Sequence, residues 1–262
     1  MANLQTTGLS LLKGILNNEK MKANFENVLH NNAESFMTSI ITLYQIDALL
    51  QKCDPNKVVT EAYKAAALGL PISKNFGYCY IIPYGSTPTF QMGYKGWLQL
   101  AIRSNEYRSI TADAVYEGEV PTYNRVTDEF SLDGAATSDN AIGYFARFEL
   151  KGGFHKAIYW PKERVIAHAK RYSQAYKAGK KDSPWFTAFD SMAIKTVLLQ
   201  ILTRYGIMSP TMQQAYEQET NDRVEAEVTE QANRQEVTIP TEFVEPPEAA
   251  QEPQDEGEEV PF

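Results

Sequence analysis

Glu149 and Lys151 stand two residues apart in "ARFELKGG", an E-x-K on one face of an expected strand. With an upstream Asp, for which Asp133 or Asp139 could serve, that pair is the minimal set of a metal-dependent nuclease: carboxylates hold Mg²⁺ and the Lys helps activate water. Alternating charges are also ordinary on the wet face of a sheet, so the pattern alone leaves both readings open. Other common chemistry is missing from the sequence. His30, His155 and His168 have no HxxxH or HExxH spacing, and neither GxSxG nor GxxxxGK[ST] occurs. No metal or other cofactor is expected, and any work on a polyanion would proceed without ATP bound by this chain.

A second constellation points to binding instead. In "QMGYKGWLQLAIR", Lys95 lies between Gly93 and Gly96, flanked by Tyr94 and Trp97, with Arg103 eight residues on. Glycines let backbone approach a ligand, and amides at a helix start attract anions. Tyr94 and Trp97 could stack on bases, since aromatic platforms beside cationic grooves hold single strands without sequence preference. They could equally be core, with Lys95 facing water. A third candidate is Lys195. From Phe189 to Leu202 apolar residues surround nearly the whole helical wheel, the mark of a core helix. A buried ammonium there needs an anion. Asp190, five residues away, is poorly placed to face it. Lys195 therefore needs a partner from outside its helix, such as a phosphate, or it snorkels to the surface.

The elements that must position these residues follow from periodicity. Short amphipathic helices are expected over "TTGLSLLKGIL" and "NEKMKANFENVLH", and a longer, largely buried one over 31–52. Another is capped by Asp54 with Pro55 at its first position and ends at Gly69. "FGYCYIIPY" and "PTFQMGY" around "GST" read as a hairpin. "RSITADAVY", "DEFSL", "AIGYFARFEL" and "HKAIYW" read as a largely antiparallel sheet, with a protruding hairpin within 118–140. Helices are then expected over 161–177 and 185–206, joined by "AGKKDSP". The fold class is α+β.

Charge divides the chain. Its formal net charge of −8 averages an acidic segment 216–262, with 15 Asp/Glu against Arg223 and Arg234, and a body 1–215 with 23 Lys/Arg against 18 Asp/Glu. Within the body, 106–150 is acidic (nine acids, three Arg). The segment 151–204 is basic (eleven Lys/Arg, three acids), the electrostatic footprint of a polyanion partner. The acidic 106–150 could meet the basic 151–204 of a neighbouring copy. The acidic end is rich in Glu, Gln, Pro and Thr and is expected to be disordered. Cys53 and Cys79 make neither a disulfide framework nor a CxxC site, which fits a reducing, cytosolic setting. No apolar run approaches the roughly 18 residues of a membrane span, and the N-terminus does not read as a signal peptide.

Taken together, "VVTEAYKAAALGLPISKNFGYCYIIPY", "FQMGYKGWLQLAIRSNEYRSI" and "WFTAFDSMAIKTVLLQILTRYGI" resemble the RecT family of phage and prophage single-strand annealing proteins, over roughly residues 8–215. The resemblance implies a small antiparallel sheet with packed helices, similar to the annealing core of Rad52-like proteins, and a positively charged DNA groove. It implies an ATP-independent protein that binds single-stranded DNA and pairs it with its complement in recombination and repair. It also implies rings or helical filaments, a 5′→3′ exonuclease partner, and a bacterial host cytoplasm. Tyr94, Lys95, Gly96, Arg103 and Lys195 match the family blocks. Leu199 departs from them where a basic residue is expected, and Arg204 stands to compensate. With Lys74, Trp97, Arg147, Lys170, Arg171, Lys180 and Lys181, these cationic and aromatic positions form the expected DNA-binding set. A passive single-strand coat is the remaining alternative. The end "DEGEEVPF" resembles the acidic tip of bacterial single-stranded DNA-binding proteins. Phe262 would anchor beside Val260 and Pro261, with Glu258 and Glu259 steering toward host repair proteins, or the tail could cover its own DNA groove.

Overall fold

Local side chains start and stop the helices of the first third. The computed structural model describes residues 2–221. After α1 (Ala2–Asn17), the Asn18 side chain accepts from the amides of Lys20 and Met21 and caps α2 (Glu19–Leu29). The long helix expected over 31–52 is shorter: α3 (Ala33–Ile46) lies between 3-10 turns at His30–Asn32 and Leu50–Lys52. Asp47 ends it, because its carboxylate accepts from the amides of Leu49 (2.9 Å) and Leu50 (3.2 Å), offering the backbone an alternative to further helix. The next helix, α4 (Pro55–Ala67), begins as read, with Asp54 accepting from the Asn56 amide at 2.9 Å. Leu12, Phe25, Ile40, Tyr44, Val58 and Ala62 bury the inner faces of these helices in one core.

The expected hairpin is β1 (Cys79–Tyr84) and β2 (Thr87–Met92), turning at Gly85 with φ +61°. The opening stretch forms α5 (Tyr94–Arg103). Then come β3 (Tyr107–Tyr116), β4 (Glu119–Asn124), β5 (Glu129–Gly134), β6 (Ala141–Leu150) and β7 (His155–Pro161). An antiparallel sheet has the order β3-β6-β7. Tyr144, Ala146 and Phe148 of β6 are buried, while Phe145, Arg147 and Glu149 point to the other face, as the period of two requires.

The segment 128–132 does not join that sheet. Its residues from Glu129 on lie in β5, which pairs only with β4, and this hairpin folds back over the outer sheet face instead of projecting. Phe130 stacks on Phe145 with ring centres 4.5 Å apart, the Tyr123 hydroxyl donates to the Ala157 carbonyl at 3.0 Å, and Lys156 bridges Asp128 at 2.8 Å. Folding back shields aromatics that would otherwise face water. It also pairs an acid of 106–150 with a cation of 151–204 inside one chain.

Two expected helices divide. Ser173 accepts from the Tyr176 amide at 3.2 Å, separating α6 (Lys162–Tyr172) from α7 (Gln174–Lys177). Ala188, at φ −147° and ψ 52°, separates α8 (Pro184–Thr187) from α9 (Phe189–Tyr205). The α9 helix is the core helix its composition implies, with Ala193, Ile194, Val197, Leu198, Ile201 and Leu202 buried. A further helix, α10 (210–221), is pinned by buried Met212 and Ala215. The acidic segment assigned to 216–262 thus begins inside a helix. The positions 258–262 lie outside the described residues. No helix among the described residues is long and apolar enough to cross a membrane.

Candidate nucleic-acid interface

The glycines and aromatics around Lys95 serve packing. A Cβ on Gly93 would meet the Gly77 carbonyl oxygen at 2.1 Å, and one on Gly96 would meet the Tyr78 carbonyl oxygen at 2.2 Å. These glycines let the start of α5 press against the chain just before β1. Trp97 is 0% exposed and meets Tyr216 of α10 edge to face at 6.2 Å, so the stacking role expected for it is closed in this arrangement. Tyr94 is half-buried against the core, and burial pushes its phenol up. Lys95 is exposed, with its stem beside Gly77.

Two expected phosphate contacts are engaged internally. The Arg103 guanidinium donates to the carbonyls of Leu68 (2.9 Å) and Gly69 (3.2 Å), closing the C-terminus of α4, where a cation complements the negative end of the helix dipole. Lys74 bridges Asp47 at 2.7 Å. Burial opposes ionisation of Asp47, but the Lys74 ammonium and the Leu49 and Leu50 amides outweigh it and hold its carboxyl below the usual range. Lys195 also finds its anion within the chain. Its ammonium pairs with Glu219 of α10, with both side chains largely buried.

Cations do converge elsewhere. A cavity of about 630 Å³ opens between the tip of the β1–β2 hairpin, α6 to α9 and α10, and is lined by Arg164, Lys180, Lys195 and Arg204. A second, of about 410 Å³, adjoins it beneath the β4–β5 hairpin and is lined by Arg125, Lys156, Arg164 and Arg204. Trp160, Arg164, Gln200 and Arg204 belong to both, so the two form one trough. Six cations line it against two carboxylates, Asp182 and Glu219, both at the first cavity. Such a concave, predominantly cationic wall focuses field toward a polyanion.

Aromatic rings interleave with the charge. Trp160, Arg164, His168 and Tyr172 recur at intervals of four and form a ridge along α6 and the strand end before it. Arg164 sits 4.3 Å from the Trp160 ring centre, Trp160 lies 5.5 Å from His168, and His168 lies 4.6 Å from Tyr172. At the second cavity the Lys156 ammonium lies 4.4 Å from the Tyr205 ring centre. Its hydrogen bond to Asp128 pushes Lys156 up, so it is cationic at neutral pH. Tyr172 and Tyr205 are 59% and 43% exposed, and each carries a cation over its ring, Arg171 at 5.3 Å from the Tyr172 centre and Lys156 on Tyr205.

The trough therefore includes Lys180, Lys195 and Arg204 from the expected set, but Lys74, Lys95 and Arg103 do not line it. Arg147 is exposed on the outer sheet face, and Lys170, Arg171 and Lys181 are exposed beyond the lining. Arg125, Lys156 and Arg164 were missed. The four-residue ridge was readable in "WPKERVIAHAKRY", whereas Arg125 and Lys156 reach the trough only because the β4–β5 hairpin folds back.

The nuclease set does not assemble. Glu149 bridges Arg108 at 2.8 Å, and Lys151 donates to Asn105 at 2.5 Å. No group of three His, Cys, Asp or Glu suited to a metal occurs among the described residues. Cys53 and Cys79 are free and buried, and burial pushes the Cys79 thiol up to about 12.

An α+β body with small antiparallel sheets and a cationic, aromatic trough defines a polyanion-binding class of protein. The RecT family profile matches residues 34–236, most of the chain. The chain is 42% identical over 227 residues to the uncharacterized protein YqaK of Bacillus subtilis (strain 168), covering 86% of this chain and 78% of that one. It is 25% identical over 197 residues to protein RecT of Escherichia coli (strain K12), covering 71% of each. This chain belongs to the RecT family, whose members anneal single-stranded DNA in recombination and are generally not catalytic enzymes.

Proposed function

We propose that this chain anneals complementary single strands without ATP, holding each along the trough shared by α6, α9 and the β4–β5 hairpin. The observation that carries this reading is the joining of two cavities through Arg164 and Arg204, which makes one continuous cationic path. Annealing breaks no covalent bond. The protein must neutralise phosphates, leave base edges outward, and let mismatched strands go. Phosphate contacts supply affinity that falls with salt. Stacking on Tyr172 and Tyr205 adds sequence-tolerant contact.

Assembly follows from the same weakness. Each copy grips a few nucleotides, so a ring or filament retains a matched strand by multivalency and releases a mismatched one. A 5′→3′ exonuclease would expose the strand. The 258–262 tip would dock through Phe262 on host proteins that read such tips, with Glu258 and Glu259 steering. Deleting 255–262 should abolish that docking and spare annealing.

Pairing two complementary oligonucleotides, each pre-coated with the protein and with no nucleotide present, tests the reading. Duplex should form faster than without protein, and labelled strands should keep their length in Mg²⁺. Coated strands that never pair would leave only a passive coat, and shortened strands would restore the nuclease.

A further inference from the structure

We propose that Glu219 occupies a backbone-phosphate subsite of the trough, and that an incoming strand takes its place on Lys195 and lifts the last turn of α10. This rests on the reading that the trough holds single-stranded DNA.

The arrangement has three parts. Lys195 projects from the core helix α9 and is paired with Glu219, with side-chain exposures of 12% and 13%. Tyr216, Glu219 and Thr220 of α10 wall the same cavity as Lys195 and Thr196. Met212 and Ala215 hold the start of α10 at 0% exposure and Tyr216, 38% exposed, meets Trp97 edge to face, so the packed anchor ends before Glu219. The last turn can leave while the first stays.

The exchange conserves charge. A carboxylate and a phosphodiester each bring one negative charge and acceptor oxygens to Lys195. The ammonium, costly to bury alone, keeps a partner throughout. The exchange also discriminates. Glu219 is tethered, so its effective concentration at Lys195 is high, in the millimolar range or above for a short tether. A mononucleotide offers one phosphate against that competitor. A strand engages Arg164, Arg204 and Lys195 together and displaces it. Lifting the last turn also removes from the cavity one of its two lining carboxylates, leaving Asp182.

The test uses the full chain. Glu219→Gln should bind labelled oligodeoxythymidine about tenfold more tightly at low salt, because more of the protein is competent. Glu219→Asp, which keeps the charge, should bind less tightly than Glu219→Gln. Amide exchange of the wild type should speed up over 217–221 when the oligonucleotide binds, while α6 slows. Equal or weaker binding by a folded Glu219→Gln overturns the proposal. So does slower or unchanged exchange over 217–221, a measurement that needs no variant. If Arg164→Gln and Arg204→Gln leave wild-type affinity intact, the trough itself is wrong, which is a separate failure.

Discussion

The Arg164 guanidinium lies 4.3 Å from the centre of the Trp160 ring, and both side chains line the two cavities of the trough. The ring fixes the cation, and the cation caps a ring that is itself 8% exposed. Trp160 therefore positions charge, while Tyr172 and Tyr205 are the more exposed rings.

Tyr172→Ala and Tyr205→Ala should each weaken oligonucleotide binding by about 1–3 kcal/mol while leaving its salt dependence alone, since stacking releases no counterions. Titration at two salt concentrations checks this. A changed slope would mean these rings act by holding cations.

Gly96→Ala should lower stability by roughly 1–3 kcal/mol, because its Cβ would strike the Tyr78 carbonyl oxygen, which cannot yield as a flexible side-chain end does. Thermal unfolding measures the loss, and oligonucleotide affinity per folded molecule should hold. Lost affinity with unchanged stability would return the glycine to a ligand role.

Removing the guanidinium in Arg103→Ala leaves two carbonyls at the end of α4 without their donor. The expected cost is about 1–2 kcal/mol of stability, with little effect on strand capture. Denaturant melts and a binding titration separate the two effects.

The Lys74–Asp47 bridge gives an acid-limb prediction. The folded carboxyl titrates below its unfolded value, so its contribution is present above that unfolded value and lost as pH falls through the folded one. Lys74→Ala should therefore lower stability near neutrality and flatten its fall below about pH 4. Denaturant melts from pH 7 to pH 2 read this. Parallel curves for the two proteins would remove Lys74 as the cause.

Much of the fold was legible because its signals are local. Asp54–Pro55 announces α4, Gly85 turns the first hairpin, and the period of two in 141–150 places the central strand. Helix breaks at Asp47, Ser173 and Ala188 were not seen, because an apolar period runs through them while a side-chain acceptor or a backbone kink interrupts the helix. At the site, residue type misled. A Trp beside a Lys reads as a platform until packing buries it, and an Arg after an amphipathic run does not reveal that two carbonyls wait 34 and 35 residues upstream. Lys195 was rightly singled out as needing a partner from beyond its own helix. That partner is an acid in α10, 24 residues on.

The most direct test is a salt series of oligonucleotide binding by fluorescence anisotropy, comparing wild type with Arg125→Gln/Arg164→Gln/Arg204→Gln and with Lys74→Gln/Lys95→Gln/Arg103→Gln. Each phosphate contact on a single strand contributes about 0.7 to the slope of log affinity against log salt. The first triple should reduce the slope by about 2 and weaken binding strongly, while the second should change it little. Binding that survives the first triple and collapses with the second would place the strand at the start of α5 and contradict the trough.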